Sequence, residues 1–376
     1  MTESKQLEAM RATVKQDGGV SEARLLEFIK SQPGLEGRDI RITLETSDVR
    51  AGVSAGHLFF RLDDLEDVNA GHCGRYVLRF DIGPHRLFRG TSLKDQFDVM
   101  RTLRGRGLAV PDAVWLAPTN SVADGTPALI MRRVNAQSPE MLYMQKGPFV
   151  EASSSERQAI LERCMRFCVD LHSEPVEALG LDFLSERGGN EGHFIDRQIN
   201  WMQDEFHSRF SPAEDGERAP LFSQMRRTCD EAAEWLRARA PRHRKPVLVH
   251  GDVTLANIMF NDDGSVAAVL DWELCHEGLP EEDVAWFTLA AYGSANAYGA
   301  SVEAIPSRED VCAAYLSAGG VVDDLEFGAA LSAFTILSIT ALAMRVMPPQ
   351  FWSEQPESWV RQEALLFEAM ERFEGR

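Results

Sequence analysis

The stretch Val247–Glu273, VLVHGDVTLANIMFNDDGSVAAVLDWE, sets two acids and an amide, Asp252, Asn257 and Asp271, among runs that otherwise have the character of buried strands. Pro246–His250 reads as one strand. Ile258–Phe260 then pairs with Val266–Leu270 across the turn Asn261-Asp262-Asp263-Gly264, so the chain reverses in a hairpin. The residues just before the first strand of such a ribbon and just after the second lie at the same end, which brings Asn257 towards Asp271 with the Asp252 loop beside them. Carboxylates gathered against apolar strands repel one another and lose hydration unless a positive guest joins them. A hard divalent cation is the natural guest. Mg²⁺ takes a few protein oxygens and completes its shell with waters and phosphates, so Asn257 and Asp271 are a reasonable set and Asp252 is left for another task.

Outward from this stretch, a chain of 376 residues with 44% hydrophobic and 26% charged residues has room for two sub-domains of ordinary globular type. The opening MTESKQLEAMRATVKQDGG alternates acids with bases and lacks the apolar run of a secretory signal, so a cytoplasmic protein is expected. The six cysteines show neither CxxC spacing nor histidine company and read as reduced thiols; Cys164 and Cys168 share a helical stripe with Ile160, Phe167 and Leu171. A net charge of -19, with no basic run, argues against nucleic acid as a partner. From Phe327 to Met344 no charge appears, but Ser332, Thr335, Ser338 and Thr340 interrupt the run and no basic cluster flanks it. A buried helix is therefore expected there, and no membrane association.

SEARLLEFIKSQ reads as an amphipathic helix with Leu25, Leu26, Phe28 and Ile29 inward. Between residues 40 and 134 the pattern turns to β, in RITLETS, HLFFRL, RYVLRF and PALIMRRV, where Met131 reads as core. One helix, TSLKDQFDVMRTLRGRG, interrupts this sheet, with Leu93, Phe97, Met100 and Leu103 at helical spacing. Residues 1–134 thus form a small mixed α/β lobe, and 135–376 a larger, mainly helical lobe with one small β feature. Within it, GGNEGHFIDRQINWM and SRFSPAEDGERAP read as an insert or mobile loop.

The spacing His250-Gly251-Asp252, Asn257, Asp271 resembles the catalytic core of the aminoglycoside phosphotransferase and choline kinase group of the protein-kinase-like superfamily. VLVHGDVTLANIMF, AVLDWEL and the trailing Asp283-Val284-Ala285-Trp286, with RYVLRF, GLAVPDAVWL and VDLHSEPVEALGL, are closer still to phosphotransferase-like domains related to the kinase domains of certain acyl-CoA dehydrogenases. That likeness extends over roughly residues 20 to 345 by the helix and strand landmarks above. It implies an α+β, protein-kinase-like bilobal fold.

By the same resemblance, Asp252 takes the proton of a substrate hydroxyl, and Asn257 and Asp271 hold Mg²⁺. His250 either buttresses this loop or acts in catalysis. Asp283 ties the loop down through backbone amides, and Glu273 either touches metal or substrate or caps a turn. In the first lobe, the loop Ala51–Gly56 is placed to cradle phosphates, with Ser54 and Gly56 as its contacts. Arg79 stands where the family carries a base that neutralises phosphates, and Arg132, Arg133 and Val134 fall in the hinge that meets the nucleobase. Gln96 occupies the inward position where the family has a glutamate holding that base, with Asp95 and Asp98 as neighbouring alternatives.

The resemblance therefore implies a kinase that transfers the γ-phosphoryl group of ATP or GTP to the hydroxyl of a small molecule with Mg²⁺. Gln96 keeps open an alternative, a nucleotide-binding pseudokinase with a regulatory role. A protein kinase ranks lower, because no peptide platform follows Asp271. The acceptor stays open between an aminoglycoside, which suits the acidic balance, and a hydroxylated acyl metabolite, which suits the closer resemblance.

Overall fold

The structure, a computed structural model, describes residues 19–45, 55–81, 87–137, 152–189, 191–210, 219–298, 305–346 and 356–375. The chain forms two compact units, Met1–Arg104 with Pro111–Val134, and Gly105–Val110 with Asn135–Arg376. Residues 105–110, expected in the first lobe, belong to the second unit. Their hydrogen bonds explain it: the Val269 amide donates to the Ala109 carbonyl at 2.8 Å, and the Arg106 guanidinium donates to the Ala178 carbonyl at 2.7 Å.

In the first unit, helix α1 (Glu22–Lys30) begins where the Ser21 hydroxyl accepts the Arg24 amide. Strands β1 (Ile40–Leu44), β2 (Ala55–Asp64), β3 (Gly74–Asp81), β4 (Ala113–Ala117) and β5 (Ala128–Arg132) form an antiparallel sheet in the order β1-β2-β3-β5-β4, and α2 (Leu93–Gly105) joins β3 to β4. Alternation along β3 sends Tyr76, Leu78 and Phe80 into a core with Leu25, Ile29 and Phe60, where the Tyr76 ring stacks on Phe60 and on Trp115. β4 had no strand signature: its five residues lie between Pro111 and Pro118, and a bulge between Ala113 and Trp115 breaks the alternation. Met131 is only half-buried. On α2 the inward stripe is Leu93, Gln96, Val99, Met100 and Leu103, whereas Phe97 stays half-buried under the Arg101 guanidinium.

The second unit contains α3 (Ser154–His172), α4 (Phe183–Glu186), α5 (Phe194–His207), α6 (Ala219–Arg239), α7 (Pro280–Tyr298), α8 (Arg308–Ser317), α9 (Leu325–Val346) and α10 (Pro356–Glu374). A capping box between Ser153 and Glu156 starts α3. The stretch expected as a mobile insert holds α5, whose Phe194, Ile195, Ile199 and Met202 are buried. Three nearby glycines and an atypical cap, the His193 ring accepting the Ile195 amide, hid its start. The uncharged stretch is α9, buried through most of its length and packed against α6, α7 and α10. Gly328 permits this, since a Cβ there would lie 2.3 Å from the Glu281 side chain on α7.

Two ribbons stand where one was expected. β7 (Ile258–Phe260) pairs with β8 (Val266–Val269), and β6 (Val247–Val249) pairs with β9 (His276–Gly278), a three-residue strand too short and polar to be recognised in the sequence. All six cysteines are free; Cys164, Cys168, Cys229 and Cys275 are buried, and burial pushes each of those thiols up, Cys229 to about 12.

Candidate active site

The loop after β6 turns at Gly251, whose φ of +80° suits glycine and whose absent Cβ would lie 2.6 Å from the Leu274 carbonyl. His250 is fully buried beneath it. Its Nδ1 accepts the Asp252 amide at 3.1 Å, so the ring proton sits on Nε2 and is donated to the Leu270 carbonyl at 2.9 Å. Burial holds this imidazole below its ordinary pKa, which keeps it neutral. With both nitrogens engaged, and Trp272 edge-on to the ring at 4.6 Å, His250 has the contacts of a buttress and none of a proton carrier.

Asp252 keeps part of its surface open at the loop. Its Oδ2 accepts the Asn257 amide Nδ2 at 2.9 Å, and its Oδ1 accepts the Trp286 indole N–H at 2.9 Å. Asn257 also holds the Asp252 carbonyl, at 2.9 Å. Burial pushes the Asp252 carboxyl well above the usual carboxylate range, the negative charge of Asp271 pushes it further, and the two hydrogen bonds pull only part of the way back. Asp271 follows β8 in the left-handed region, φ 65°, which among the described non-glycine residues it shares only with Asn120. Aspartate tolerates that conformation better than most residues, and such strain recurs at sites where chemistry is done. The hairpin register, Ile258 opposite Val269, with the Leu270 amide donating to the Asn257 carbonyl at 2.7 Å, brings Asn257 and Asp271 to one end.

Asp283, on the first turn of α7, accepts the amides of His250 and Gly251, each at 2.9 Å. Its Oδ2 also meets His172 Nε2 at 3.0 Å, and the other ring nitrogen of His172 meets the Tyr315 hydroxyl at 2.8 Å. Burial would raise this carboxyl, but the hydrogen bond and charge of His172, with help from His250, outweigh it and hold Asp283 low. Glu282, next to it, receives the Gln198 amide at 2.6 Å, the Leu279 amide at 2.6 Å and His276 Nε2 at 3.1 Å. Roles for His172, Tyr315, Glu282 and Trp286 were not read from the sequence; the partners of His172 lie 111 and 143 positions away, beyond any local pattern.

In the first unit, Arg79 points to the face of β3 opposite Tyr76 and Leu78 and is buried, with His57 as its cross-strand neighbour. Gln96 is buried on α2, and Asp98 is taken by Lys94 one turn before it. Gly56 lies in strand β2 and not in a loop; a Cβ there would fall 2.5 Å from the Phe80 ring, so packing explains it. Ser54 lies outside the described residues. Arg133 gives its amide to the Arg75 carbonyl at 2.9 Å and its guanidinium to Glu45 at 2.6 Å, while Val134 is half-buried just after it. These contacts commit Arg133 to the sheet. A concavity of about 970 Å³ in the second unit, lined by exposed Arg106, Glu162, Arg163 and Arg166, contains none of Asp252, Asn257 and Asp271, so volume does not mark the site.

Residues 66–324 match the model of the phosphotransferase enzyme family, more than half of the chain. This chain belongs to that family. Among curated relatives, acyl-CoA dehydrogenase family member 11 of Mus musculus is 26% identical over 331 residues, 84% of this chain and 38% of that protein. Acyl-CoA dehydrogenase family member 10 of Mus musculus is 30% identical over 203 residues, 54% of this chain and 17% of that protein. The chain thus spans well under half the length of these relatives. Among solved structures, a Plasmodium vivax ethanolamine kinase superposes with a TM-score of 0.56 at 10% identity, covering 93% of this chain and 87% of that one. An ADP-bound aminoglycoside phosphotransferase gives 0.53 at 14% identity, covering 93% and 98%. These likenesses establish the kinase-like fold of the phosphotransferase family.

Phosphotransferase chemistry implies a divalent cation, and the donor set fits one. Among the described residues no cluster of three or more His, Cys, Asp or Glu is arranged to hold a metal, but Mg²⁺ needs only one or two protein carboxylates when phosphates supply the rest. Two acids of one sign lie close enough for Asp271 to disturb Asp252, a local excess of negative charge that a cation relieves. Asn257 has committed its Nδ2 to Asp252, which leaves its Oδ1 as the atom for a cation.

Proposed function

We propose that this phosphotransferase is a small-molecule kinase, transferring the γ-phosphoryl group of ATP or GTP to the hydroxyl of a small substrate. The observation that carries the reading is Asp252: a carboxylate whose two oxygens are oriented by the Asn257 amide and the Trp286 indole and which keeps part of its surface open. Asp252 accepts the hydroxyl proton as the substrate oxygen bonds to the γ-phosphorus, the bond from that phosphorus to the bridging oxygen breaks, and the nucleoside diphosphate leaves. Asn257 and Asp271 are the residues that would hold Mg²⁺. When bound, that ion neutralises phosphate charge. Arg79, a rigid fork buried in the first unit, suits two phosphate oxygens. Its structural neighbours, an ethanolamine kinase and an ADP-bound aminoglycoside phosphotransferase, support a nucleotide and a small hydroxylated acceptor.

The test is a screen of hydroxylated metabolites for ADP release with ATP and Mg²⁺, run beside Asp252→Asn. A hit that vanishes in the variant supports the reading; full turnover by Asp252→Asn removes Asp252 from its role. A second reading rests on Gln96, whose buried position offers no charge to a phosphate-binding base: a nucleotide-binding pseudokinase. Calorimetry showing ATP·Mg²⁺ binding, with no acceptor phosphorylated in the screen, selects it.

A further inference from the structure

We propose that Trp286 is a positioning residue of this site, fixing the Asp252 carboxylate through its indole N–H and acting on transfer only through that carboxylate. The inference rests on Asp252 being the proton acceptor. A carboxylate's terminal torsion is broad, so a lone aspartate on a loop sweeps through many orientations unless its oxygens are held. Here each oxygen has a different holder. Oδ2 takes the Asn257 amide from the start of the β7–β8 ribbon, and Oδ1 takes the indole from α7, both at 2.9 Å. Two donors on separate elements define the plane of the carboxylate and leave its remaining lone pairs for a substrate hydroxyl.

The choice of tryptophan has a chemical logic. An indole N–H donates, never accepts and does not titrate, so it orients an anion without adding a charge that would compete with the cation expected on the other side. Its plate is 5% exposed and cannot rotate freely, so the direction of the N–H is as fixed as the helix that carries it. That helix is already fastened to the loop. Asp283 lies one turn before Trp286, on the same face, and holds the amides of His250 and Gly251. One face of α7 therefore grips the loop twice, by its backbone and by its reactive side chain.

The test replaces the Trp286 indole by benzothiophene, which puts sulfur where the N–H was and keeps the plate; Trp286→Phe is the second variant. ADP formation from ATP and Mg²⁺, with water as acceptor, is measured beside calorimetric ATP affinity, each in wild-type and Asp252→Asn backgrounds. The expected result is a loss of ADP formation of roughly tenfold in the wild-type background, the scale of one hydrogen bond to a charged group. ATP affinity stays unchanged, and the exchange has no effect once Asp252 is Asn. An equal loss in both backgrounds, or a parallel loss of ATP affinity, overturns the proposal. Independently of turnover, the indole proton resonance that disappears in Trp286→Phe moves upfield in Asp252→Ala. A resonance that stays put overturns the contact itself, whereas wild-type protein that forms no ADP with any acceptor defeats the kinase reading and leaves the indole shift to decide the positioning.

Discussion

Asp252 on the loop after β6, the proposed proton acceptor, and Asp283 at the head of α7 are both acids of the second unit in apolar surroundings, yet those surroundings push them in opposite directions, Asp252 upward and Asp283 downward. Burial disfavours the charge of each. What separates them is the company. Asp283 has two backbone amides and His172 aimed at its oxygens, so its charge is matched where it stands. Asp252 has two donors and, against them, the charge of Asp271. Asp283 is complete without a ligand, whereas the proposed proton acceptor becomes complete only with a cation or a proton.

The contrast predicts opposite responses to losing the charge. Asp283→Ala strands two buried amides and His172, and removing one partner of a buried pair costs about 3–5 kcal/mol, enough to unfold a marginal domain. Urea unfolding measures it, and a variant as stable as wild type would show that α7 does not anchor the loop. Asp252→Asn goes the other way. Turnover falls by about a thousandfold with loss of the proposed proton acceptor, while the melting temperature changes little, because relief of a poorly compensated charge is set against one lost acceptor for the Trp286 or Asn257 donor. A fall in melting temperature as large as that of Asp283→Ala would mean that Asp252 is matched where it stands, like Asp283.

Next in size is the hinge between the two acids. Gly251→Ala places a side chain at φ +80° and 2.6 Å from the Leu274 carbonyl, so at least about 1–2 kcal/mol is lost from the left-handed backbone alone, before the clash is relieved. Since Asp283 holds the amides of His250 and of Gly251 itself, immediately before Asp252, turnover should fall more than stability does. Equal losses in thermal melts and ADP release would count against a loop whose task is aiming one carboxylate.

How much of this was legible depended on how far apart the partners lie in the chain. Asn257 and Asp271 were readable because one short turn, Asn261–Gly264, sets the register that joins them. Arg79 was readable as a strand residue, but that it is buried on the face away from Tyr76 needed the sheet. β9 was hidden because His276-Glu277-Gly278 has no apolar alternation and exists as a strand only by pairing with β6. His172 looked like any polar residue near the end of a helix until Asp283 met it. The resemblance to known kinases implies the Asp283 amide contacts, which no periodicity contains; Trp286 lies in the same motif, yet its hydrogen bond to Asp252 depends on helix phase and loop path together.

The smallest expected effect compares two buried histidines. His250 has one donor and one acceptor as neighbours and stays neutral, whereas His276 faces only acceptors, the Leu274 carbonyl at 2.7 Å and Glu282 at 3.1 Å, so both its nitrogens carry protons. Burial would lower His276, but the charge and hydrogen bond of Glu282 outweigh it and raise it above the ordinary 6.5. A raised histidine stabilises the fold fully below its unfolded value and ceases to do so as pH rises through its folded value; Asp283, held low, stabilises above the ordinary 3.8 and is lost as pH falls. His276 therefore adds a decline in stability above about pH 6.5, beside the fall with rising pH that raised Asp252 contributes from its ordinary value upward and the opposite slope that lowered His250 contributes below 6.5. In His276→Gln the decline above about pH 6.5 becomes shallower, because the glutamine holds Glu282 without titrating, while the acid limb, to which Asp283, Asp252 and His250 contribute, is unchanged. Urea midpoints measured from about pH 5 to 9 decide it: a slope above about pH 6.5 as steep in His276→Gln as in wild type would place the titrating group elsewhere and leave the head of α7 with no pH-sensitive partner to set against Asp252.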